Sequence, residues 1–255
     1  EWSTKGKAQG ILQLIWLNML GHETDFSQIE CMSALFKDNL RLKAIGYLGL
    51  TFFLSAESEV LCMATNLIRR DLECRRNDFV VGLALRAFSE IADRQMAEEL
   101  LPTVLQLLDA DSREVRRKAL LAMLSAARKC PERAEEMAAA VIPLLREGNN
   151  GLLLQAVQLA QTLLELSPAL RPLLNDALQP LYTVLRSLNA KGDVPLSTGG
   201  VNEPFLQCAI LSLVQEIIRE QPALALRQKI NGTVGQALET LSAVPNLLEI
   251  PKHER

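Results

Sequence analysis

Residues 77–92 read NDFVVGLALRAFSEIA, and this stretch decides the fold. Val80, Leu83, Ala87 and Ile91 recur at the 3.6-residue spacing of a helix with one buried face. Asn77 or Asp78 stands where a helix N-cap belongs, because a short polar side chain there can accept from the first free amides. The same pattern appears upstream, where Asp38 or Asn39 precedes Leu40, Ile45, Leu48 and Phe52 and predicts a helix to about Leu54. Downstream, Asp111 or Ser112 opens a helix to Lys129, and Asn150 opens another ending near Leu166. No window of six residues alternates as a strand would.

Between these helices the sequence predicts partners. Gly21 ends the first helix of the chain, and Thr24 or Asp25 caps a second running to about Phe36. A further helix is expected from about Glu57 to Arg75. Pro131, Pro168, Pro204 and Pro222 sit at first helical positions, whereas Pro102, Pro143, Pro172 and Pro180 fall inside second helices. The leading helices start near 39, 78, 112 and 150, at intervals of 39, 34 and 38 residues. A recurring two-helix unit of this length marks a HEAT or armadillo-type repeat, whose pairs bury their apolar faces only by stacking. The expected fold is all-α: a right-handed HEAT/armadillo-type α-solenoid of about six helix pairs. It occupies 1–255 as a single unit with one irregular insertion at 189–202. Ala84, Ala119, Ala122 and Ala156 are expected where helices approach closely, and Leu120 in the core.

Composition agrees. Hydrophobic residues make up 49% of the 255, charged residues 22% and aromatics 4%, so Leu, Ala, Val and Ile fill the core. The 27 cationic and 30 acidic side chains leave a net charge of −3, so no global basic field recruits nucleic acid. The longest unbroken apolar stretches have six residues, as in Ala119–Leu124, against the roughly 20 a membrane helix needs. Glu1-Trp2-Ser3 makes a poor signal n-region, and the missing initiator Met suggests a start within a longer chain. Cys31, Cys62, Cys74, Cys130 and Cys208 are odd in number and contain no C-x-x-C pair, which argues against disulfides and zinc and favours a reducing compartment.

Catalytic chemistry finds no footing. His22 and His253 have no carboxylate or cysteine partner at ligand spacing, and neither suggests a positioned base. Gly46-Tyr47-Leu48-Gly49 falls inside a predicted helix, where the glycines permit close packing rather than cradle a phosphate. Glu98-Glu99 and Glu135-Glu136 fit helix surface and dipole positions. The reading is non-enzymatic, with no metal and no cofactor. Two basic clusters remain. Arg69, Arg70, Arg75 and Arg76 close a helix, where cations complement its dipole. Arg113, Arg116, Arg117 and Lys118 open one, where positive charge is unfavourable. That second cluster either pairs within the molecule and with water, or meets anionic lipid or an acidic partner.

At Met19-Leu20-Gly21-His22, then Asp25-Phe26 and Ile45-Gly46-Tyr47-Leu48, the chain resembles the N-terminal trunk of the large adaptins of clathrin adaptor complexes. The likeness runs through Ala64-Thr65-Asn66-Leu67-Ile68-Arg69-Arg70-Asp71-Leu72, Gly82-Leu83-Ala84-Leu85 and Arg116-Arg117-Lys118-Ala119. It continues through Arg128-Lys129-Cys130-Pro131-Glu132 to Glu203-Pro204-Phe205-Leu206-Gln207. The last two stretches look most like gamma adaptin of the trans-Golgi/endosomal complex, whereas Gly21-His22 and Met96-Ala97-Glu98 look more like alpha adaptin.

The resemblance implies a scaffold subunit that supports cargo selection and coat assembly in vesicle-mediated intracellular protein transport. Its implied partners are a beta-type large adaptin, medium and small adaptin subunits, an Arf-type small GTPase, clathrin indirectly, and anionic membrane lipids. Its implied location is cytoplasmic, peripheral on trans-Golgi network and endosome membranes and on clathrin-coated vesicles. By alignment with gamma adaptins, Ile29, Met32 and Met63 would contact the GTP-loaded GTPase, which requires them to be exposed; helix amphipathicity alone would bury them. The family's basic lipid-binding segment, its hinge and its appendage have no counterpart in these residues. The competing function is a generic HEAT/armadillo protein-binding scaffold that does not act at membranes; the groove-lining Asn or Trp ladder common there is absent, since Trp2 and Trp16 share one early segment.

Overall fold

A computed structural model describes residues 4–24, 26–55, 58, 60–74, 77–147, 150–189, 197–198, 201–219, 235 and 237. The chain divides into two compact units, Glu1–Arg133 and Ala134–Arg255.

Among the described residues of the first unit seven α-helices follow one another: α1 (Thr4–Met19), α2 (Ser27–Leu35), α3 (Leu40–Phe53), α4 (Leu61–Leu72), α5 (Asp78–Ile91), α6 (Arg94–Gln106) and α7 (Arg113–Lys129). They form two layers. α1, α3, α5 and α7 pack side by side in one, α2, α4 and α6 in the other, and α2/α3, α4/α5 and α6/α7 pair across them. Phe88, Leu85, Leu100, Leu120 and Met123 are fully buried between the layers. Ala84, Ala119 and Ala122 are buried as well, each placing only a methyl group between neighbouring helices.

The boundaries follow local chemistry. Asn77 Oδ1 accepts from the amides of Phe79 and Val80 at 3.0 and 3.4 Å, and Asn39 Oδ1 accepts from Leu42 at 3.0 Å. Asp93 Oδ1 caps α6 by accepting from Met96 at 2.7 Å. Gly21 adopts φ +89°, and the amides of His22 and Gly21 donate to the carbonyls of Leu17 and Asn18, which closes α1 in a Schellman turn. Three expectations need correction. Thr24 does not cap α2: its buried hydroxyl accepts from Asn18 Nδ2 at 3.0 Å, and Phe26 holds the N-cap position without a side-chain bond. Ser112 precedes α7 without capping it. α4 begins at Leu61 because the amide of Ser55 donates to Ser58 Oγ and the amide of Leu61 to the Ser58 carbonyl, a serine turn that delays the helix. Asp25, Glu57 and Arg75, named for the starts and end of these helices, lie outside the described residues.

α3 approaches α2 closely through its glycines. A Cβ at Gly46 would meet the Cys31 carbonyl and Leu35 Cδ2, each at 3.0 Å, and one at Gly49 would overlap Cys31 Sγ. The pair Gly46/Gly49 therefore sets a helix–helix distance.

The second unit is built of α8 (Ala134–Glu147), α9 (Asn150–Leu166), the single turn α10 (Arg171–Leu174), α11 (Leu178–Asn189) and α12 (Pro204–Ile218). α9 packs on both α8 and α12, and Ala156 is buried in that stack. Pro168 starts a short 3-10 turn, and Pro204 starts α12 directly after Glu203, whose φ is +44°. Within the 189–202 insertion, Ser197–Thr198 pairs antiparallel with Val201–Asn202, two residues on each side. Asn202 Nδ2 donates to the Leu188 carbonyl at 3.1 Å, and Gln207 Nε2 to the Asn202 carbonyl at 2.8 Å, fastening the insertion's exit to its entry. Gly192, Pro195, Gly199, Gly200 and Pro222 lie outside the described residues. The fold is all-α, of the HEAT/armadillo α-solenoid class.

Candidate interaction surface

α2 turns Ser27, Cys31, Met32, Ala34 and Leu35 inward and leaves Phe26, Ile29 and Phe36 outside. Ile29 is 63% exposed, whereas Met32 is 3% exposed. On α4, Met63 is 60% exposed, with Leu61, Ala64, Leu67 and Ile68 buried beneath it. Ile29 and Met63 thus share the outer surface of neighbouring helices in one layer, but Met32 does not join them. Three residues along a helix rotate a side chain by about 60°. That is enough to carry Met32 over the inner edge of α2, beside Cys31 and Leu35. Met32 is core.

The residues missing from the sequence-based patch are Phe26 and Phe36, each 64% exposed. With Ile29 and half-buried Ser33 they form a stripe at spacings of 3, 4 and 3 along α2. Their spacing is legible in the sequence; which side of α2 faces α3 is not.

Below this surface lies a buried ion pair. Lys43 Nζ donates to both Asp71 oxygens at 2.7 and 2.6 Å, and Tyr47 Oη donates to Oδ2 at 3.0 Å. Burial pushes the Tyr47 phenol up from its ordinary range, and the Asp71 charge adds to the push. Arg70 also donates to Asp71 Oδ1, through Nε at 3.3 Å and Nη2 at 3.2 Å. Its Nη2 reaches the Leu35 carbonyl at 2.8 Å, and its guanidinium lies 5.5 Å above the Phe36 ring. Arg69 pairs with Glu99 of α6. The arginines that close α4 are therefore tied to α2 and α6, not merely to the dipole of their own helix. Arg75 and Arg76 are outside the described residues.

The second basic cluster splits. Arg113 and Arg117 are exposed, with Arg117 Nη2 3.5 Å from Glu114 Oε2. Arg116 and Lys118 are half-buried, and Lys118 lies along α5 in the space that Gly82 leaves open. The four cations expected as one face are two exposed and two partly withdrawn, because consecutive positions from 116 to 118 sweep around the helix.

No catalytic arrangement is assembled among the described residues. His22 is exposed in the turn after α1, and His253 lies outside them. Glu98, Cys130 and Glu132 bring potential ligand atoms within 4.8 Å of one another. Arg94 occupies that group, however, donating to Glu98 at 2.8 Å and to Glu132 at 3.0 Å. The hydrogen bond from Arg94 holds the Glu98 carboxyl below its usual range. Burial, then the Glu132 and Glu98 charges, push the Cys130 thiol up, so it stays protonated and donates weakly to the Arg94 carbonyl. The group is an ion-pair cluster. A groove of about 800 Å³ at the ends of α4 and α6 carries Glu73, Asp78, Asp109 and Asp111 over a floor of Leu72, Val81 and Val115, with no histidine, lysine or arginine in its lining. No helix among the described residues is long and apolar enough to cross a membrane.

Comparison with known proteins places the chain. Residues 2–249 match the adaptin N-terminal region. The AP-1 complex subunit gamma of Dictyostelium discoideum is 32% identical over 223 residues, covering 87% of this chain and 25% of that protein. AP-1 complex subunit gamma-1 of Arabidopsis thaliana is 34% identical over 209 residues, covering 81% of this chain and 24% of that one. A chain in a homology model of the full-length AP-3 complex in an intermediate open conformation shares the fold, with a TM-score of 0.71 at 20% identity over 93% of this chain and 38% of its own length. The chain spans about a quarter of the length of the curated relatives it matches. With the match running nearly end to end over a stack of helix pairs, the chain belongs to the adaptin N-terminal region family, and its relatives point to the gamma type.

Proposed function

We propose that residues 1–255 form one trunk segment of a large, gamma-like subunit of a clathrin adaptor complex, a non-enzymatic scaffold for cargo selection and coat assembly in vesicle-mediated transport. The observation that carries this reading is the similarity to gamma subunits over more than four-fifths of the chain. A stack of helix pairs offers extended surface for protein partners, and activity here is binding. The partners are the beta-type large, medium and small adaptin subunits, with clathrin engaged indirectly. The location is the cytoplasmic face of trans-Golgi network and endosome membranes and of coated vesicles.

Ile29 and Met63 form the contact for a GTP-loaded Arf-type GTPase. Their exposure on adjacent helices supports this, since apolar anchors at an interface centre carry most of its energy. Arg113 and Arg117, with Arg116 and Lys118 at their edge, meet anionic lipid or an acidic partner. The testing experiment is affinity purification of the tagged full-length subunit from cells. A small adaptin and a second large adaptin should be recovered with it in equal amounts; recovery without either would refute the reading.

A further inference from the structure

The outer face of α2 carries more than the Ile29 contact. Phe26, Ile29 and Phe36 make one apolar stripe, and its far end is a fixed pair: the Phe36 ring beneath the Arg70 guanidinium, 5.5 Å away. Three features make Arg70 a poised donor rather than a solvated charge. Its Nη2 is anchored to the Leu35 carbonyl at 2.8 Å. Its Nε and Nη2 lean on Asp71, which Lys43 and Tyr47 hold in place from the buried side. Among the described residues its Nη1 makes no hydrogen bond, and the side chain is 46% exposed. A guanidinium whose rotamers are already fixed loses little freedom when it gains a partner, and its remaining Nη1 edge favours a carboxylate or carbonyl acceptor in the plane of the group.

We propose that Phe36 and Arg70 are specificity-determining residues of the GTPase-facing surface, Phe36 as an apolar anchor and Arg70 Nη1 as a donor to a carboxylate or main-chain carbonyl of the bound GTPase. The proposal rests on the GTPase reading above and extends that contact from Ile29 along α2 to the α4 C-terminus. The occupant it fits is an apolar protein surface with an acceptor at its rim. A strongly basic surface is disfavoured by the half-exposed positive guanidinium.

The test uses the full-length subunit assembled in its adaptor complex. Binding of GTP-loaded and GDP-loaded Arf-type GTPase is measured for wild type, Phe36→Ala, Arg70→Lys and Ile29→Asp, with a thermal melt for each. Phe36 is exposed and Arg70→Lys keeps the charge, so both variants should stay folded. Their melting temperatures should fall by no more than a few degrees, for the lost ring contact and the lost bond to the Leu35 carbonyl, and binding is compared well below those temperatures. Phe36→Ala should weaken GTP-dependent binding about tenfold or more. Arg70→Lys should weaken it severalfold, because a single ammonium cannot hold the Leu35 and Asp71 acceptors and present a second, fixed donor outward, and should leave residual GDP-form binding unchanged. Normal binding by Phe36→Ala and Arg70→Lys with loss in Ile29→Asp would overturn this proposal and leave the parent reading standing. Normal binding by all three variants, or none by wild type, would overturn both. Self-association of wild type that Phe36→Ala abolishes, with GTPase binding intact, would assign the stripe to a second copy of the chain and overturn the proposal.

Discussion

Replacing Asp71 by Ala tests the central claim about how the first unit is held together. Asp71 is 3% exposed and Lys43 6%, so the ion pair has almost no contact with water. The carboxylate accepts from Lys43 at 2.7 and 2.6 Å, from Tyr47 at 3.0 Å and from Arg70 at 3.2 Å or more. Truncation leaves an ammonium buried without a counter-charge, which costs about 3–5 kcal/mol. The stranded Tyr47 hydroxyl adds about 1 kcal/mol more. The two losses share one site and do not simply add, so the expected destabilisation is about 4 kcal/mol. A domain stable by about 5–15 kcal/mol would be left close to unfolding. Urea denaturation followed by circular dichroism measures this, with an unchanged slope confirming that the same surface unfolds. The triple variant Lys43→Met, Tyr47→Phe, Asp71→Leu should return to within about 1 kcal/mol of wild type, since an apolar set of similar volume replaces the buried charges. A loss below about 1 kcal/mol for Asp71→Ala alone would mean that water reaches the pair, and the reasoning would fail.

Four further outcomes follow from the same geometry. Ile29→Asp should change stability by less than about 0.5 kcal/mol while Met32→Asp unfolds the chain, a contrast that thermal melts of the two variants read directly. Gly49→Ala should cost about 1–3 kcal/mol in a denaturant titration because its Cβ overlaps Cys31 Sγ, and adding Cys31→Ala should recover part of that loss. Burial, and then the Glu30 charge, push the Cys31 thiol up to about 12, and Tyr47 is also raised. A thiol or phenol raised on folding stabilises fully below its unfolded pKa, so stability should fall as pH climbs from about 9 toward 12, less steeply in Cys31→Ala. Charge reversal at Arg113 and Arg117 should weaken binding of the assembled complex to anionic vesicles in low salt; unchanged co-sedimentation would return both arginines to the solvated face.

The helices were legible where a cap and a period coincide. Asn77 and the Val80-to-Ile91 spacing define α5 to within a residue, and Asn150–Leu166 is found as expected, because both signals are local. The start of α4 was not, since the Ser55–Ser58 turn competes with helix through side-chain bonds that periodicity does not register. The surface was half legible. Period alone sets Ile29 and Met32 on one side of α2, but only the seating of α2 against Gly46 and Gly49 decides that the inner edge takes Met32. Lys43 carries no mark of burial in its sequence neighbourhood, because its partner lies 28 residues away on α4. Arg69 and Arg70 look like ordinary C-terminal cations for the same reason: Glu99 and the Leu35 carbonyl, which hold them, sit on other helices.

α1 buries only Ile11 and Ile15 of its sixteen residues, whereas α5 buries eight of fourteen and α7 seven of seventeen. It leans on α2 and α3 and on no later helix to a comparable extent. Among the described residues α1 is therefore held by few contacts, whereas α5 and α7 are enclosed by neighbours. In a stack held by nearest-neighbour contacts, the amides of α5 and α7 exchange with heavy water only when the unit around them comes apart. The exposed Gly21–Glu23 turn between α1 and α2 has no such protection, and a protease that probes local openings would cut there long before it reached α5.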